Sequence, residues 1–190
     1  MAGRSMSSRQ RTTASVVTVA IASLALGSGC TSPRSLELSP ETSSSTTPTS
    51  SSECTVRGVL PDPICTPGAT NPNVTQENIS ATICKSGWSS KVRPPTEVTN
   101  PLERQLLDRY GNPHGSNPAD YELDHLIPIS LGGALKDPKN LWPEYGPIPN
   151  PKDAVEMRAR ASVCAGRISL SDAQRKMATN WVSLGEELRK

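Results

Sequence analysis

Residues 31–53 limit what this chain can fold into, because they cannot contribute to a core. They are mainly Ser, Thr and Pro, in the order TSPRSLELSPETSSSTTPTSSSE, with almost no apolar side chains. A segment of that composition buries too little surface to offset the entropy lost on ordering. Folding is therefore confined to residues 54–190, which is enough chain for one modest domain.

The segment before this tract has the organisation of a secretory signal peptide. Three arginines among its first 11 residues precede an uncharged, apolar-leaning run over residues 14–26, and small residues follow up to Gly29. The run is too short and too rich in Ser, Thr and Ala to be a comfortable membrane span. We therefore expect residues 1–29 to be a signal peptide and the protein to be exported.

Cys30, directly after that segment, resembles the lipidated cysteine of a bacterial lipobox. Gly27 departs from the usual pattern, since Leu or Val is commoner there and Leu26 lies one place early. Lipidation would make Cys30 the first mature residue and anchor it in the membrane through two or more acyl chains. Residues 30–53 would then be a disordered tether on a lipoprotein that faces the outside of the cytoplasm. Ordinary cleavage and secretion is the alternative.

Four more cysteines, Cys54, Cys65, Cys84 and Cys164, indicate disulfides. The chain has no Phe but 18 Pro and 13 Gly, so its fold should be loop-rich and should benefit from cross-links. An even number of cysteines in an exported chain indicates two bridges, and three connectivities are possible. We favour Cys54–Cys65, which closes a short proline-rich loop, and Cys84–Cys164, which ties the N-terminal part to a late helix. A zinc site is disfavoured, because there is no CxxC pair.

Charge gives little information about partners. Residues 54–190 contain 16 Lys and Arg against 15 Asp and Glu, so the folded part is close to neutral. A protein that coats long DNA is usually far more basic. A nuclease needs only a local cationic patch, so neutrality does not exclude one.

Local signals predict an α+β domain. Asn-Pro pairs at 100–101 and 150–151 are typical helix starts, and the helices should end near residues 110 and 166. A capping box from Ser171 should open the last helix, with Met177, Trp181 and Leu184 on one face. The remaining expectations are a short helix over 75–82, a hairpin or extended run over 85–93, a strand over 121–131 and a return strand at 140–142.

One stretch carries chemistry: Asp124-His125 with Pro128, then Gly132-Gly133, then Asn140-Leu141. This pattern, DHxxP…GG…NL before a helix, resembles the core of HNH nucleases, and the likeness covers about residues 120–160. The resemblance implies a ββα-metal core, over about 120–165, with additional helices and a disulfide-stapled N-terminal loop region. Over nearly all of 54–190, including TPGATNPNVT, TICKSGW and VRPP, the chain resembles secreted actinobacterial HNH-like proteins.

The chemistry of phosphodiester hydrolysis assigns roles to these residues. A neutral imidazole titrates near the working pH, so His125 is the candidate base that deprotonates water. By resemblance, Asp124 takes the first metal position, and Asn140 fixes the loop and orients the histidine. Neighbours on a regular strand point to opposite faces, so Asp124 and His125 can share a site only if the strand ends irregularly there.

The chain departs from the HNH pattern on the helix, where a third His or Asn is expected. No His follows His125. The candidate second metal ligands are, in order, Asp153, Asn150 and Glu156. A carboxylate pair would suit Mg²⁺ or Mn²⁺ better than zinc. The same helix offers two cations, Lys152 and Arg158, as phosphate contacts.

These observations predict an exported, metal-dependent HNH-like nuclease that acts on DNA or RNA, membrane-anchored through its lipid and otherwise monomeric. A different class of function competes with it. The missing third ligand favours a non-catalytic envelope lipoprotein that uses a degenerate HNH scaffold as a binding module.

Overall fold

The structure, a computed structural model, describes residues 53–190. The proposed signal peptide, Cys30 and all but the last residue of the tether lie outside that range. The expected α+β class is confirmed, since the described part combines helices with one two-stranded sheet. Its helices and strands, in chain order, are α1 (Trp88–Val92), α2 (Thr96–Arg109), β1 (Tyr121–His125), β2 (Leu141–Tyr145), α3 (Pro151–Cys164) and α4 (Leu170–Glu187). A six-residue 3-10 helix spans Gln76–Ala81, within the short helix expected over 75–82, and three-residue 3-10 turns occur at Pro118–Asp120, Ile129–Leu131 and Pro138–Asn140.

The sheet pairs β1 and β2 antiparallel, from Tyr121 opposite Tyr145 to His125 opposite Leu141. The expected strand over 121–131 is therefore too long, because regular pairing stops at His125 and the chain turns before Pro128. The turn that follows requires its two glycines. Gly132 has a φ of 72°, and a Cβ on Gly133 would lie 1.7 Å from the Ile127 carbonyl oxygen.

Two helix starts and one short segment differ from the expectations. Residues 88–92 form α1 instead of a hairpin, after Gly87 turns the chain with a φ of 75°. Helix α2 begins at Thr96, five residues before Pro101, so the proline lies inside the helix, where it removes one backbone hydrogen bond, and not at its start. Helix α4 begins two residues early, because the Ser169 hydroxyl accepts from the Asp172 backbone N–H at 3.1 Å and thus caps it in place of Ser171.

The core lies between α3, α4 and the loop after β1. The apolar face predicted for α4 is present, with Met177, Trp181 and Leu184 all buried. It packs with residues of α3 such as Val155 and Ala159 in one cluster. This packing holds α3 in a fixed position against the end of β1, where the sequence places its candidate site.

Two disulfides reinforce the described part. Cys54 is bonded to Cys65, and Cys84 to Cys164, which closes a loop with a sequence separation of 80 residues. This is the connectivity favoured from the sequence. Structural disulfides are typical of proteins that fold in an oxidising environment. Within residues 53–190, no helix is long and apolar enough to cross a membrane.

Candidate active site

The end of β1 and the first turns of α3 enclose a small cavity of about 40 Å³. Both Asp124 and His125 line it, because His125 is the last residue of β1 and regular pairing ends there. Two of the expected ligands on α3, Asp153 and Glu156, line it as well. The residues around this cavity are Arg93, Glu122, Leu123, Asp124, His125, Pro128, Ile129, Asp153 and Glu156.

The His125 ring is held in a defined orientation. Its Nε2 lies 3.1 Å from the Leu135 carbonyl oxygen. A carbonyl oxygen only accepts, so Nε2 carries the proton in this contact and Nδ1 is the unprotonated nitrogen of the neutral ring. Burial lowers the pKa of His125 below its ordinary value, against the opposing effects of the Leu135 carbonyl and the Asp124 charge. The ring is therefore neutral at neutral pH, with Nδ1 able to accept a proton.

Asn140 fixes the loop that supports His125. Its side chain is fully buried, and it both accepts from the Ile127 N–H and donates to the Ile127 carbonyl, each at 2.9 Å. It also donates to the Ala134 carbonyl at 3.1 Å, next to the Leu135 carbonyl that binds the histidine. Asn140 does not line the cavity. Its hydrogen bonds hold the backbone of the loop between β1 and β2.

Each oxygen of the Asp124 carboxylate accepts a hydrogen bond from another side chain. Its Oδ1 accepts from the Lys152 ammonium at 2.8 Å, and its Oδ2 accepts from the Trp142 Nε1–H at 2.8 Å. Lys152 is 0% exposed, and its ammonium also donates to Glu156 Oε1 at 2.7 Å and to the His125 carbonyl at 2.9 Å. An ammonium has three N–H donors, so Lys152 is saturated.

The position of Lys152 corrects the expectation that it contacts phosphate. Its ammonium has no exposed surface to offer a substrate, because α3 packs with this side chain pointing at β1. Burial on its own would lower the pKa of Lys152, but the charges of Asp124 and Glu156 outweigh burial and raise it. The lysine is thus charged throughout the physiological range. Arg158, the other expected phosphate contact, is half-buried and does not line the cavity.

The three expected helix ligands have other partners. Asp153 accepts from the Asn150 backbone N–H at 2.8 Å, and the Asn150 side chain accepts from two N–H groups of α3, so these two residues cap the helix. Glu156 binds the lysine ammonium. In the described range, no group of three or more His, Cys, Asp or Glu side chains is placed to hold a metal ion. As arranged, the donors do not fit a divalent cation at Asp124, because an ammonium already occupies the space between the oxygens.

Two further carboxylates surround this ion pair and were missed from the sequence. Glu122 and Glu144 are opposite each other in the sheet register, and the Asn150 amide donates to them at 3.3 and 3.2 Å. Burial, together with the nearby Asp124 charge, raises the pKa of Glu144 to about 8. The same two causes raise the pKa of Glu122. The two-residue spacing of Glu122 from Asp124 was a usable signal, since it places both on one face of β1.

The arginine at the cavity mouth was also missed. Arg93 is exposed and lines the cavity with His125. It lies in the short link between α1 and α2, at the end of the segment expected to be a hairpin or an extended run. It is the cation of this site that solvent, and so a phosphate, can reach.

Comparisons with models of protein families, with curated proteins and with solved structures found no match to this chain. The function of this protein is therefore inferred from its residues and their geometry.

Proposed function

We propose that this protein hydrolyses phosphodiester bonds in nucleic acid, with His125 as the general base. The observation that carries the proposal is the His125 ring itself. Its Nε2–H is held by the Leu135 carbonyl, its pKa is lowered by burial, and it lies on the wall of a cavity. A base needs a free lone pair, a fixed orientation and access to water, and His125 combines all three.

The arrangement around His125 supports a nuclease more than an isolated buried histidine. Strand β1, a loop, β2 and α3 follow one another, with Asp124 and His125 at the end of β1 and Asn140 just before β2. This is the order that the HNH resemblance implies. Asn140 donates to the carbonyl of Ala134, the residue before Leu135, and the Leu135 carbonyl contacts the histidine ring.

The reaction can be written with the residues present. Nδ1 of His125 removes a proton from water as the water oxygen bonds to phosphorus, and the bond from phosphorus to the leaving ester oxygen breaks. The leaving oxygen takes a proton from solvent. Arg93 at the cavity mouth supplies a positive charge for the phosphate oxygens, which is a role suited to a guanidinium.

A nicking assay tests the proposal. Supercoiled plasmid, single-stranded DNA and RNA are incubated with the purified protein, in parallel with Mg²⁺, Mn²⁺ or EDTA. His125→Ala should reduce cleavage about 10²–10⁴-fold, the usual contribution of a positioned base. His114→Ala is the matched control, because His114 is the other histidine of the chain and stacks on Tyr145 in an exposed loop. Equal rates for His125→Ala and the wild type would contradict the proposal.

The pH profile offers a second measurement on the same assay. Because burial lowers the pKa of His125, the base stays unprotonated below the ordinary histidine pKa. Cleavage should therefore persist at pH values somewhat below 6.5 and fall only as the lowered pKa is passed. If the cleavage rate falls on the acid side with a midpoint at or above the ordinary histidine pKa, the role assigned to the buried ring is contradicted.

A second function, a non-catalytic binding module, is favoured by the state of Asp124. Both of its oxygens are used within the protein, by Lys152 and Trp142. If the wild type cleaves none of the three substrates, with either metal or with EDTA, the result supports the binding module over the nuclease. Retention on immobilised DNA or RNA that is lost in Arg93→Ala would then identify nucleic acid as the ligand.

We also propose that the protein is a lipoprotein on the outer side of the cytoplasmic membrane. The two disulfides support folding outside the reducing cytoplasm. The signal-like N-terminus and Cys30 support the anchor. Intact-mass analysis of membrane and medium fractions tests both parts: an acylated Cys30 terminus is expected, cleavage without acylation removes the anchor, and an intact Met1 in the cytoplasm would contradict export.

A further inference from the structure

The Lys152 ammonium lies where a cation is most strongly required in this site. Its three acceptors are two carboxylate oxygens, from Asp124 and Glu156, and the backbone oxygen of His125, all between 2.7 and 2.9 Å. Hard oxygen donors of this kind, carboxylates and a carbonyl, are also what Mg²⁺, Mn²⁺ and Ca²⁺ prefer. The lysine thus satisfies a set of groups that would otherwise form part of a metal site.

We infer that the Lys152 ammonium permanently replaces the divalent cation that the HNH resemblance implies. The native site then has no metal at Asp124, and removing the lysine side chain opens that place to a divalent cation. The catalytic consequence, cleavage that does not require a metal at Asp124, rests on the proposed function. The binding consequence does not depend on it.

Charge and geometry both support this replacement. Two carboxylate oxygens, from Asp124 and Glu156, contact the ammonium at 2.8 and 2.7 Å, so the lysine supplies the positive charge that these buried oxygens require. The ammonium reaches the site from inside the protein on a side chain that is 0% exposed. A competing ion from solution would have to displace a tethered cation with saturated hydrogen bonds, and that displacement is unfavourable.

The same contacts make Lys152 a positioning residue for the candidate base. Its bond to the His125 carbonyl fixes the backbone at the point where β1 ends, while Leu135 fixes the ring. The lysine therefore holds together the carboxylate, the strand end and α3. It acts on the reaction through His125 and does not touch the substrate.

Terbium luminescence tests the inference without any substrate. Tb³⁺ emits when it is excited through a nearby indole, and the Trp142 Nε1 lies 2.8 Å from Asp124 Oδ2. The wild type should show no Asp124-dependent emission. Lys152→Ala should show emission that saturates at about one ion per chain and is displaced by Mn²⁺. The double variant Lys152→Ala with Asp124→Asn should lose it, and Lys152→Met, which refills the space, should show none.

Two outcomes would overturn the inference. The first is saturable emission from the wild type that Asp124→Asn abolishes, and this arm needs no lysine variant to fold. The second is a Lys152→Ala protein with wild-type circular dichroism and no emission.

The cleavage assay separates this inference from the proposed function. Wild-type cleavage that EDTA leaves unchanged supports both. Cleavage that EDTA abolishes, with Tb³⁺ bound at Asp124, overturns the inference and leaves the role of His125 intact. Absence of cleavage contradicts the proposed function alone, because the luminescence result still decides whether the lysine replaces the ion.

Discussion

Replacing Lys152 with Met should strongly destabilise the protein, because it leaves a buried carboxylate without its counter-ion. The lysine is 0% exposed and its partner Asp124 is 7% exposed. Removing one member of a buried ion pair costs about 3–5 kcal/mol, since the remaining charge is neither hydrated nor paired. Met occupies a volume similar to that of the lysine stem, so a cavity adds little to this loss. Only the Trp142 N–H would still bond to Asp124.

Replacing the other member of the pair, Asp124→Asn, should lower the free energy of unfolding by less, about 2–3 kcal/mol. Glu156 still neutralises the ammonium, and Asn keeps an oxygen for the Trp142 N–H. The double variant removes both charges and replaces a buried pair with neutral groups, an exchange that is often close to neutral. The double variant should therefore lose less free energy of unfolding than the two single variants lose in total, by at least about 2 kcal/mol.

Urea unfolding followed by tryptophan fluorescence measures these losses. A change of 4 kcal/mol moves the midpoint by about 2 M at a slope near 2 kcal/mol/M. Lys176→Met is the matched control, because Lys176 pairs with Glu187 on the surface of α4 and such pairs contribute about 0–1 kcal/mol. Single losses that add to within about 0.5 kcal/mol would refute the reasoning, since independent effects are what distant sites show.

Three further predictions concern other parts of the molecule. Replacing Cys84 and Cys164 with Ser should cost about 4–5 kcal/mol by the chain-entropy estimate for a loop of this length, against about 3 for the other disulfide, and urea midpoints in oxidised protein should rank the two variants in that order. The contribution of Glu144 to stability should fall as pH rises from about 4.5 to about 8, because the folded state holds the Glu144 proton more tightly than the unfolded state does. A pKa unit corresponds to roughly 1.4 kcal/mol, which solvent screening reduces, so Glu144→Gln should remove about 2–4 kcal/mol of this pH-dependent fall in stability. Identical profiles of stability against pH for the variant and the wild type would contradict the raised pKa of Glu144. Asn140→Ala should cost about 2–4 kcal/mol, because a buried backbone N–H and two carbonyls lose their partner, and a loss under 1 kcal/mol would show that the loop holds without it.

Local signals in the sequence were enough to predict several elements. The Asn-Pro pair at 150–151 places the start of α3 correctly, because the amide cap and the proline act on the neighbouring backbone alone. Gly133 could be assigned to the turn for a similar reason. The cysteine count predicted two disulfides and left three connectivities possible, of which the favoured one is present. The predictions for α1 and for the start of α2 were wrong, and neither helix start has a side-chain cap that local sequence could have revealed.

The position of the candidate base was also determined by sequence, since Asp124 and His125 are adjacent and the turn after them is marked by Pro128. The sequence did not determine which groups bind Asp124 in the folded protein. A lysine in the first turn of a helix is ordinarily solvated, and no pattern within α3 distinguishes an inward lysine from an outward one. Lys152 becomes a buried counter-ion only because the packing of α3 on α4 presses its first turn against β1, 28 residues earlier in the chain. Sequence determines which faces are apolar, but the partner that a charged group meets across an interface depends on how those faces dock, and that is decided in three dimensions.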